Sequence, residues 1–448
     1  MSSPFGRQAL VIGAGMAGLA AARVLSEYFA SVIVLERDAL PADASARPGT
    51  PQSNHPHVLL LAGQHALCEL FPGFNQDLAQ AGAVLFRGGL DLREESPGYD
   101  PFPQRDLGWT GYSMSRPLIE LTTRRRVQRL HNVTFRERCR VLEILPDGGG
   151  SAVGLRYQTS GGDPEELPAD LVVDASGRGA LTLAFLEGTG RPQPEQTTVG
   201  IDITYATATF AVPEGKRDWK LVFTVPDMPA VSKGGILLPV EGDRWMVTLG
   251  EWHSALLPED RDEFLKSVQQ LRTTTIYDAI KNATRLGEIR RFGFPESTWR
   301  HYEGLTDLPR GLLPIGDAIC RFNPIYGQGM SVAAQEARIL KDLLRSRCGE
   351  KDPLTGLGQA FIAGVQPVVA TAWSTSAVPD FLHPKTRGER PENLEQSLRF
   401  TAALRQIAAG DPGVHKLMMM VRHLVEPPSA LRSPELVQRV AAEMGEAR

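Results

Sequence analysis

The chain has 448 residues, with 48 Lys or Arg against 52 Asp or Glu and a formal net charge of −4. A near-neutral balance with no basic domain excludes a protein organised around nucleic-acid contacts. No apolar run approaches the roughly 20 residues of a spanning helix, so no integral membrane segment is expected. The length suits two or three domains around a large core.

The first element is Ala9-Leu10-Val11-Ile12, a β-compatible apolar run that leads straight into Gly13-Ala14-Gly15-Met16-Ala17-Gly18. Leu19–Leu25 then reads as helix. In such a strand–turn–helix Gly13 permits the tight turn, Gly15 lets the backbone approach a pyrophosphate, and Gly18 allows close helix–strand packing. The amides of Met16 and Ala17 belong to the helix N-terminus, where free N–H groups and the dipole favour an anion. A second strand, Ser31–Leu35, ends at Glu36, followed by Arg37. Glu36 stands 18 residues after Gly18, where a dinucleotide fold places the acid that holds a ribose. These residues predict a dinucleotide site.

Residues 38–54 read as a long surface loop, ending in the pair His55-Pro56-His57. With no third ligand in view, that pair fits loop packing beside a cofactor or substrate better than a metal site. Residues 83–113 alternate strands and loops and contain Phe86, Trp109 and Tyr112. Ser115–Leu121 opens a helix with Pro117 in its first turn. Arg124, Arg125, Arg126 and Arg129 on that helix read as a solvated face, with a docking patch for an acidic redox partner as the alternative. Residues 139–145 and 152–157 form a hairpin about Asp147-Gly148-Gly149-Gly150. A buried strand then ends at Asp174-Ala175-Ser176-Gly177.

From Thr197 to about Trp252 the pattern is β-rich, predicting an antiparallel sheet inserted in the first domain, and two helices follow over 259–286. Gly311–Ala318 carries Gly316-Asp317 and leads into Asn323-Pro324-Ile325-Tyr326-Gly327-Gln328-Gly329-Met330, then a helix to Arg345. Helices with Pro-rich joints fill 350–448. Cys68, Cys139, Cys320 and Cys348 form no C-x-x-C pair and predict free thiols in a reducing, cytoplasmic setting. Met1–Arg7 lacks the apolar stretch of a secretory signal.

G-x-G-x-x-G with Glu36, Val172-Val173-Asp174-Ala175-Ser176-Gly177, and Gly316-Asp317 followed by P-x-x-G-x-G occur in that order. Together they resemble the FAD-dependent monooxygenases of the para-hydroxybenzoate hydroxylase type. Pro51-Gln52 with His55 and His57, Ser115-Arg116, and the run from Phe322 to Met330 are similar to flavin epoxidases of polyether pathways and related tailoring enzymes of secondary metabolism.

The fold implied is α/β. A Rossmann-like FAD-binding domain (1–82, 115–190 and 289–346) carries an inserted antiparallel-sheet substrate domain (83–114 and 191–288) and a C-terminal helical region (347–448). The resemblance assigns Gly13, Gly15, Met16, Ala17 and Gly18 to the FAD pyrophosphate, and Glu36 and Arg37 to the adenosine end. Arg116 would contact the flavin or its phosphates, Val141 the adenine through its backbone, and Asp174, Gly316 and Asp317 the ribityl–diphosphate region. Pro324, Gly327, Gly329 and Met330 would wrap the isoalloxazine, whose N1–C2=O edge gains negative charge on reduction and suits a helix N-terminus.

Two departures stand out. Ala175 occupies the position of a glycine that serves FAD and NADPH in the hydroxylases, and Asn54 replaces an arginine of the epoxidase-like run. The electron donor is therefore either NAD(P)H or a separate flavin reductase. The W-x-W-x-I-P signature of flavin halogenases is absent. The activity implied is insertion of one oxygen from dioxygen into a large apolar small molecule, through a flavin C4a-hydroperoxide. Tyr326 is the first candidate for a pocket or catalytic role, with His55, His57 and Tyr112 as other candidate bases. Phe86, Tyr112, Trp245 and Tyr326 are the expected substrate-lining residues. Two further readings are an FAD-bound [4+2] cyclase with a structural flavin, and a flavin-dependent reductase of isoprenoid double bonds.

Overall fold

The computed structural model describes residues 5–254 and 258–446. Its first sheet has five parallel strands in the order Leu312–Pro314, Leu171–Asp174, Gly6–Ile12, Phe29–Leu35, Val133–Arg136. Both faces are covered, so the strands are near-continuous apolar runs. Ala9, Val11, Val32, Val34 and Val173 pack into one core with the helices Met16–Leu25, Leu61–Leu70 and Gly329–Ser346. Leu10, Ile12, Ile33, Leu35 and Val172 face a small antiparallel sheet of strands Cys139–Pro146, Ala152–Thr159 and Pro164–Pro168. Register aligns Ile12 with Leu35 and Asp174, and Asp174 with Pro314. The strands thus end together, and the three motif turns leave the sheet at one edge, where open α/β sheets bind ligands.

The second sheet has seven strands, ordered Cys320–Arg321, Arg285–His301, Glu195–Ala211, Arg244–Trp252, Lys233–Val240, Leu221–Thr224, Leu92–Glu95. The strand Arg285–His301 crosses the boundary expected at residue 288, because it pairs from end to end with the equally long strand Glu195–Ala211, interrupted by two irregularities. Helices Arg261–Gln269 and Thr275–Ile280 cover one face, burying Phe210, Val222, Leu237, Trp245, Val247 and Phe264.

Leu357–Asp380 corrects one expectation. It is a 24-residue helix that contains an 18-residue window with a mean hydropathy of 1.2, long and apolar enough to cross a membrane. Gln359, Gln366 and Pro367 interrupt the apolar run without adding charge. In the fold its Phe361, Ile362, Val365, Val369 and Ala372 are buried in the first core, so one face of the helix packs as a core helix does.

Candidate functional site

At the strand ends, Gly13 has φ +100°, and a Cβ there would lie 2.7 Å from the Ala175 carbonyl oxygen. A Cβ on Gly18 would sit 1.9 Å from the Gly13 carbonyl oxygen, so only glycine lets the helix start this close to the turn. Gly15 differs: a Cβ on it would meet nothing within 4 Å. It precedes a helix N-terminus that has no side-chain cap, so open space faces free amides.

Glu36 is 5% exposed and accepts from the Ala14 N–H at 2.9 Å. It also meets Arg47, whose guanidinium is the hub of a buried ion cluster: 3.1 Å to Glu36, 2.9 Å to Asp38 and 2.8 Å to Glu120. Arg116 pairs with the other oxygen of Glu120 at 3.0 Å. Burial opposes the charge on Arg47, but Glu120, Glu36 and Asp38 outweigh it and hold the guanidinium above its ordinary value. Burial likewise disfavours the Glu120 carboxylate, and Arg116 and Arg47 more than offset this, pulling it below the usual range.

Across the edge, the Gly316 N–H donates to Glu336 at 2.6 Å. Burial pushes the Glu336 carboxyl up to about 8, so it is largely protonated at neutral pH. Burial raises Asp317 too, partly offset by Arg321, Arg300 and Arg116. A Cβ on Gly329 would lie 3.7 Å from Asp317 Oδ1 with no other neighbour that near. The N-terminus of Gly329–Ser346 has no side-chain cap and therefore opens on the same space as Asp317.

A mostly apolar cavity lies between the Pro324–Gly327 turn and the uncovered face of the seven-stranded sheet. Phe86, Leu221, Phe223, Ile236, Leu238 and Phe292 line it, with Tyr205, Tyr326 and His55 among its polar groups. His55 Nδ1 lies 2.7 Å from Thr207 Oγ1, and burial depresses the imidazole to about 4. His57 donates Nδ1–H to the His55 carbonyl at 2.9 Å. Burial and Arg116 depress it to about 3, so both rings are neutral.

A family model described as FAD dependent oxidoreductase matches residues 8–102. Protein Rv3254 of Mycobacterium tuberculosis is 34% identical over 388 residues, covering 83% of this chain and 80% of that protein. The chain belongs to the FAD-dependent oxidoreductase family. Solved structures share the fold of this oxidoreductase at low identity. The flavin-dependent brominase Bmp2 matches with TM-score 0.66 and 14% identity, covering 99% of both chains. PqsL of Pseudomonas aeruginosa, a probable FAD-dependent monooxygenase, matches with TM-score 0.61 and 18% identity over 84% of this chain and 96% of its own. The Diels-Alderase PyrE3 matches with TM-score 0.59 and 17% identity over 94% of this chain and 80% of its own.

The oxidoreductase has the features FAD requires. A side chain at Gly15 would meet no protein atom beside amide donors that suit a diphosphate, and Asp317 and Gly329 adjoin a second uncapped helix N-terminus. Glu36 sits at the end of its strand beside Cys139, whose N–H donates to the Glu36 carbonyl at 2.8 Å, which brings Val141 close to the same edge. Met16, Ala17, Arg116, Gly316, Pro324, Gly327 and Met330 belong to these turns and helix starts. Arg37 is exposed, with one long contact to the Gly49 carbonyl at 3.4 Å.

Asp174 is at the edge but is committed elsewhere. One carboxylate oxygen accepts from Ser176 N–H and hydroxyl, the other from Thr182 N–H and hydroxyl, so it fastens the turn after its own strand. The arginine run is a solvated face only in part: Arg125 and Arg129 are exposed, whereas Arg124 is buried and Arg126 half-buried. Arg124 is 4% exposed and donates to the Pro41 carbonyl, Arg125 to Ala42, and Arg126 to Asp77 and Pro72. These arginines tie down the loop and helix ends around them. Arg47, Asp38, Glu120 and Glu336 went unread in the sequence; an arginine inside a polar loop gives no sign of a partner 73 positions away.

Of the expected lining residues, Phe86 and Tyr326 reach the cavity, while Tyr112 packs on the first core. Trp245 lies on the far face of the sheet, under the two covering helices. Trp245→Ala is therefore expected to cost about 3–5 kcal/mol of stability while leaving FAD content intact. Denaturant titration alongside flavin absorbance measures both, and lost FAD with unchanged stability would contradict this placement.

Proposed function

We propose that this protein is a flavin-dependent monooxygenase that places one oxygen atom, by epoxidation or hydroxylation, into a large apolar secondary metabolite. The observation that carries this reading is the double use of one turn. Pro324–Gly327 leads into the helix start beside Asp317, where the flavin ring would lie, and its Pro324, Ile325 and Tyr326 also line the apolar cavity. Bound FAD would supply electrons to dioxygen and so an electrophilic oxygen atom.

The chain's own residues supply the rest. The uncapped helix N-terminus at Gly329 favours negative charge at the ring edge. The aliphatic and aromatic lining keeps water from the reacting atoms. His55 and His57, both neutral, add no charge to that environment.

The experiment is to mix the yellow protein anaerobically with NADPH and follow its absorbance, then weigh the product of an aerobic turnover. Bleaching without help means that Ala175 does not block nicotinamide access, whereas bleaching only with an added flavin reductase assigns the donor to a partner. A product heavier by one oxygen supports the proposal. An isomer of the substrate overturns it in favour of the cyclase reading, which the fold shared with PyrE3 supports. A product heavier by two hydrogens would indicate a double-bond reductase.

A further inference from the structure

The end of the helix Pro412–Arg422 closes one side of the cavity, where Met419, Arg422 and His423 join Trp109 in its wall. Arg422 is the one charged side chain among the described residues that line this cavity. The histidines there are neutral, and burial together with Arg422 depresses His423 to about 3. The Arg422 guanidinium stands 5.8 Å from the ring centroid of Phe223, part of the apolar lining.

The charge on Arg422 is not cancelled. Its Nη1 meets Glu94 Oε2 at 2.9 Å, but Glu94 Oε1 is already taken by Arg405 at 2.5 Å. Burial disfavours the Glu94 carboxylate, and Arg422 and Arg405 more than offset this, holding it below its usual range. Two guanidiniums against one carboxylate leave one positive charge over. Arg405 also donates to Ser96 and is not part of the cavity wall. Among the described residues, Nε and Nη2 of Arg422 have no hydrogen-bond partner.

Two neutral donors accompany this cation. The Leu61 N–H donates to His423 Nδ1 at 3.2 Å, so the neutral ring carries its proton on Nε2. His423 is 6% exposed, and among the described residues that Nε2–H has no partner. The Trp109 ring lies 4.5 Å from the His423 ring, and its buried Nε1 is also without a partner among the described residues. An indole N–H can only donate. This stretch of wall therefore offers a guanidinium and two N–H groups.

We propose that it is an anion site for the substrate: Arg422, with the N–H groups of Trp109 and His423, takes a carboxylate carried by an otherwise apolar molecule. This rests on the monooxygenase reading in that the cavity is where its substrate would lie. An ionised carboxylate only accepts, which suits a wall of donors. Its single charge equals the one left over, and its two oxygens match the planar fork of a guanidinium. Binding makes and breaks no covalent bond. The Arg422 side chain is 47% exposed, so water screens the pair and its effect should be moderate.

The test uses the full FAD-loaded chain at neutral pH, with biphenyl-4-carboxylate as probe and the uncharged biphenyl-4-carboxamide as its control of similar shape. Equilibrium dialysis should show the carboxylate binding at least about fivefold more tightly, an advantage that shrinks at high salt. Arg422→Gln should remove that advantage and leave carboxamide affinity within about twofold of wild type. Glu94 keeps Arg405 in this variant, so its fold and FAD content should be retained. Trp109→Phe, which keeps an aromatic ring but loses the N–H, should weaken the carboxylate about threefold.

Equal affinities for acid and amide in the wild type overturn the site without recourse to any variant. So does an acid that fails to bind, or that binds Arg422→Gln as tightly as the wild type. Oxygen insertion into a neutral substrate alongside such a result would leave the monooxygenase reading intact. Carboxylate binding that depends on Arg422, in an enzyme whose product has unchanged mass, would keep the site and overturn that reading.

Discussion

Gly15→Ala is expected to give a folded protein that no longer holds FAD, and Gly18→Ala a protein that is destabilised and also loses it. The two glycines belong to one motif but meet different surroundings. Gly15 has φ −74° and ψ −179°, which alanine adopts freely, and its Cβ would enter empty space. Stability should stay within about 0.5 kcal/mol of the wild type. The added methyl fills the volume left for the diphosphate, so FAD affinity should drop at least about tenfold, or about 1.4 kcal/mol.

At Gly18 the same methyl would lie 1.9 Å from a backbone oxygen, which cannot turn aside as a side chain can. The helix Met16–Leu25 must lift from its strand, at a cost of about 1–3 kcal/mol or more in a core as tightly packed as this one. Urea denaturation of the apoprotein and titration with FAD separate the two outcomes. If both variants melt alike, the steric distinction is wrong. If Gly15→Ala retains full FAD affinity, the diphosphate does not pass this residue.

Arg47→Met is expected to destabilise the protein by about 3–5 kcal/mol at neutral pH, the cost of leaving buried carboxylates without their cation. Arg47 is 4% exposed on its side chain, and Glu36, Asp38 and Glu120 beside it are 6%, 9% and 9% exposed, so water does little to screen the loss. The effect should depend on pH in a definite direction. Glu120 titrates lower in the folded than in the unfolded protein, so the native state binds fewer protons and the cluster's contribution is present above the unfolded value of about 4.3. That contribution is lost as pH falls through the lower folded value.

In Arg47→Met, Glu120 keeps only Arg116, so the mutant should lose less on acidification and the gap to wild type should narrow. Denaturant melts at neutral and acid pH measure this. A gap under about 1 kcal/mol at neutral pH would mean that the cluster is not the anchor of the loop over 38–54. Because Arg47 also touches Glu36, FAD affinity should fall in the same variant, and Glu120→Gln provides the comparison that spares Glu36.

The residues of the candidate site differ in how far apart their partners lie. Gly13, Gly15, Gly18 and Glu36 were legible because the needs of a strand–turn–helix fall on neighbouring residues. Gly316-Asp317 and the turn from Pro324 to Gly329 were legible for the same reason. Arg422 was not. It ends a helix in the C-terminal region, and it meets Glu94 from 328 positions away. Asp174 shows the converse, a residue placed correctly at the sheet edge whose oxygens are used by Ser176 and Thr182.

The sequence by itself determined the dinucleotide turn, the parallel sheet that carries it and the antiparallel sheet inserted beside it, because strand periodicity and turn sterics act over a few residues. Which face of the inserted sheet meets the cavity was decided only by tertiary structure. Alternation separates Trp245, Val247 and Leu249 from Met246, Thr248 and Gly250 but gives neither set a direction. The direction came from the two helices after residue 260, which cover the first set and leave Thr248 and Gly250 to the cavity. The ion cluster of Arg47 and the two arginines on Glu94 share that origin: a buried charge can be paired from any point along the chain, so only the folded arrangement shows what pairs it.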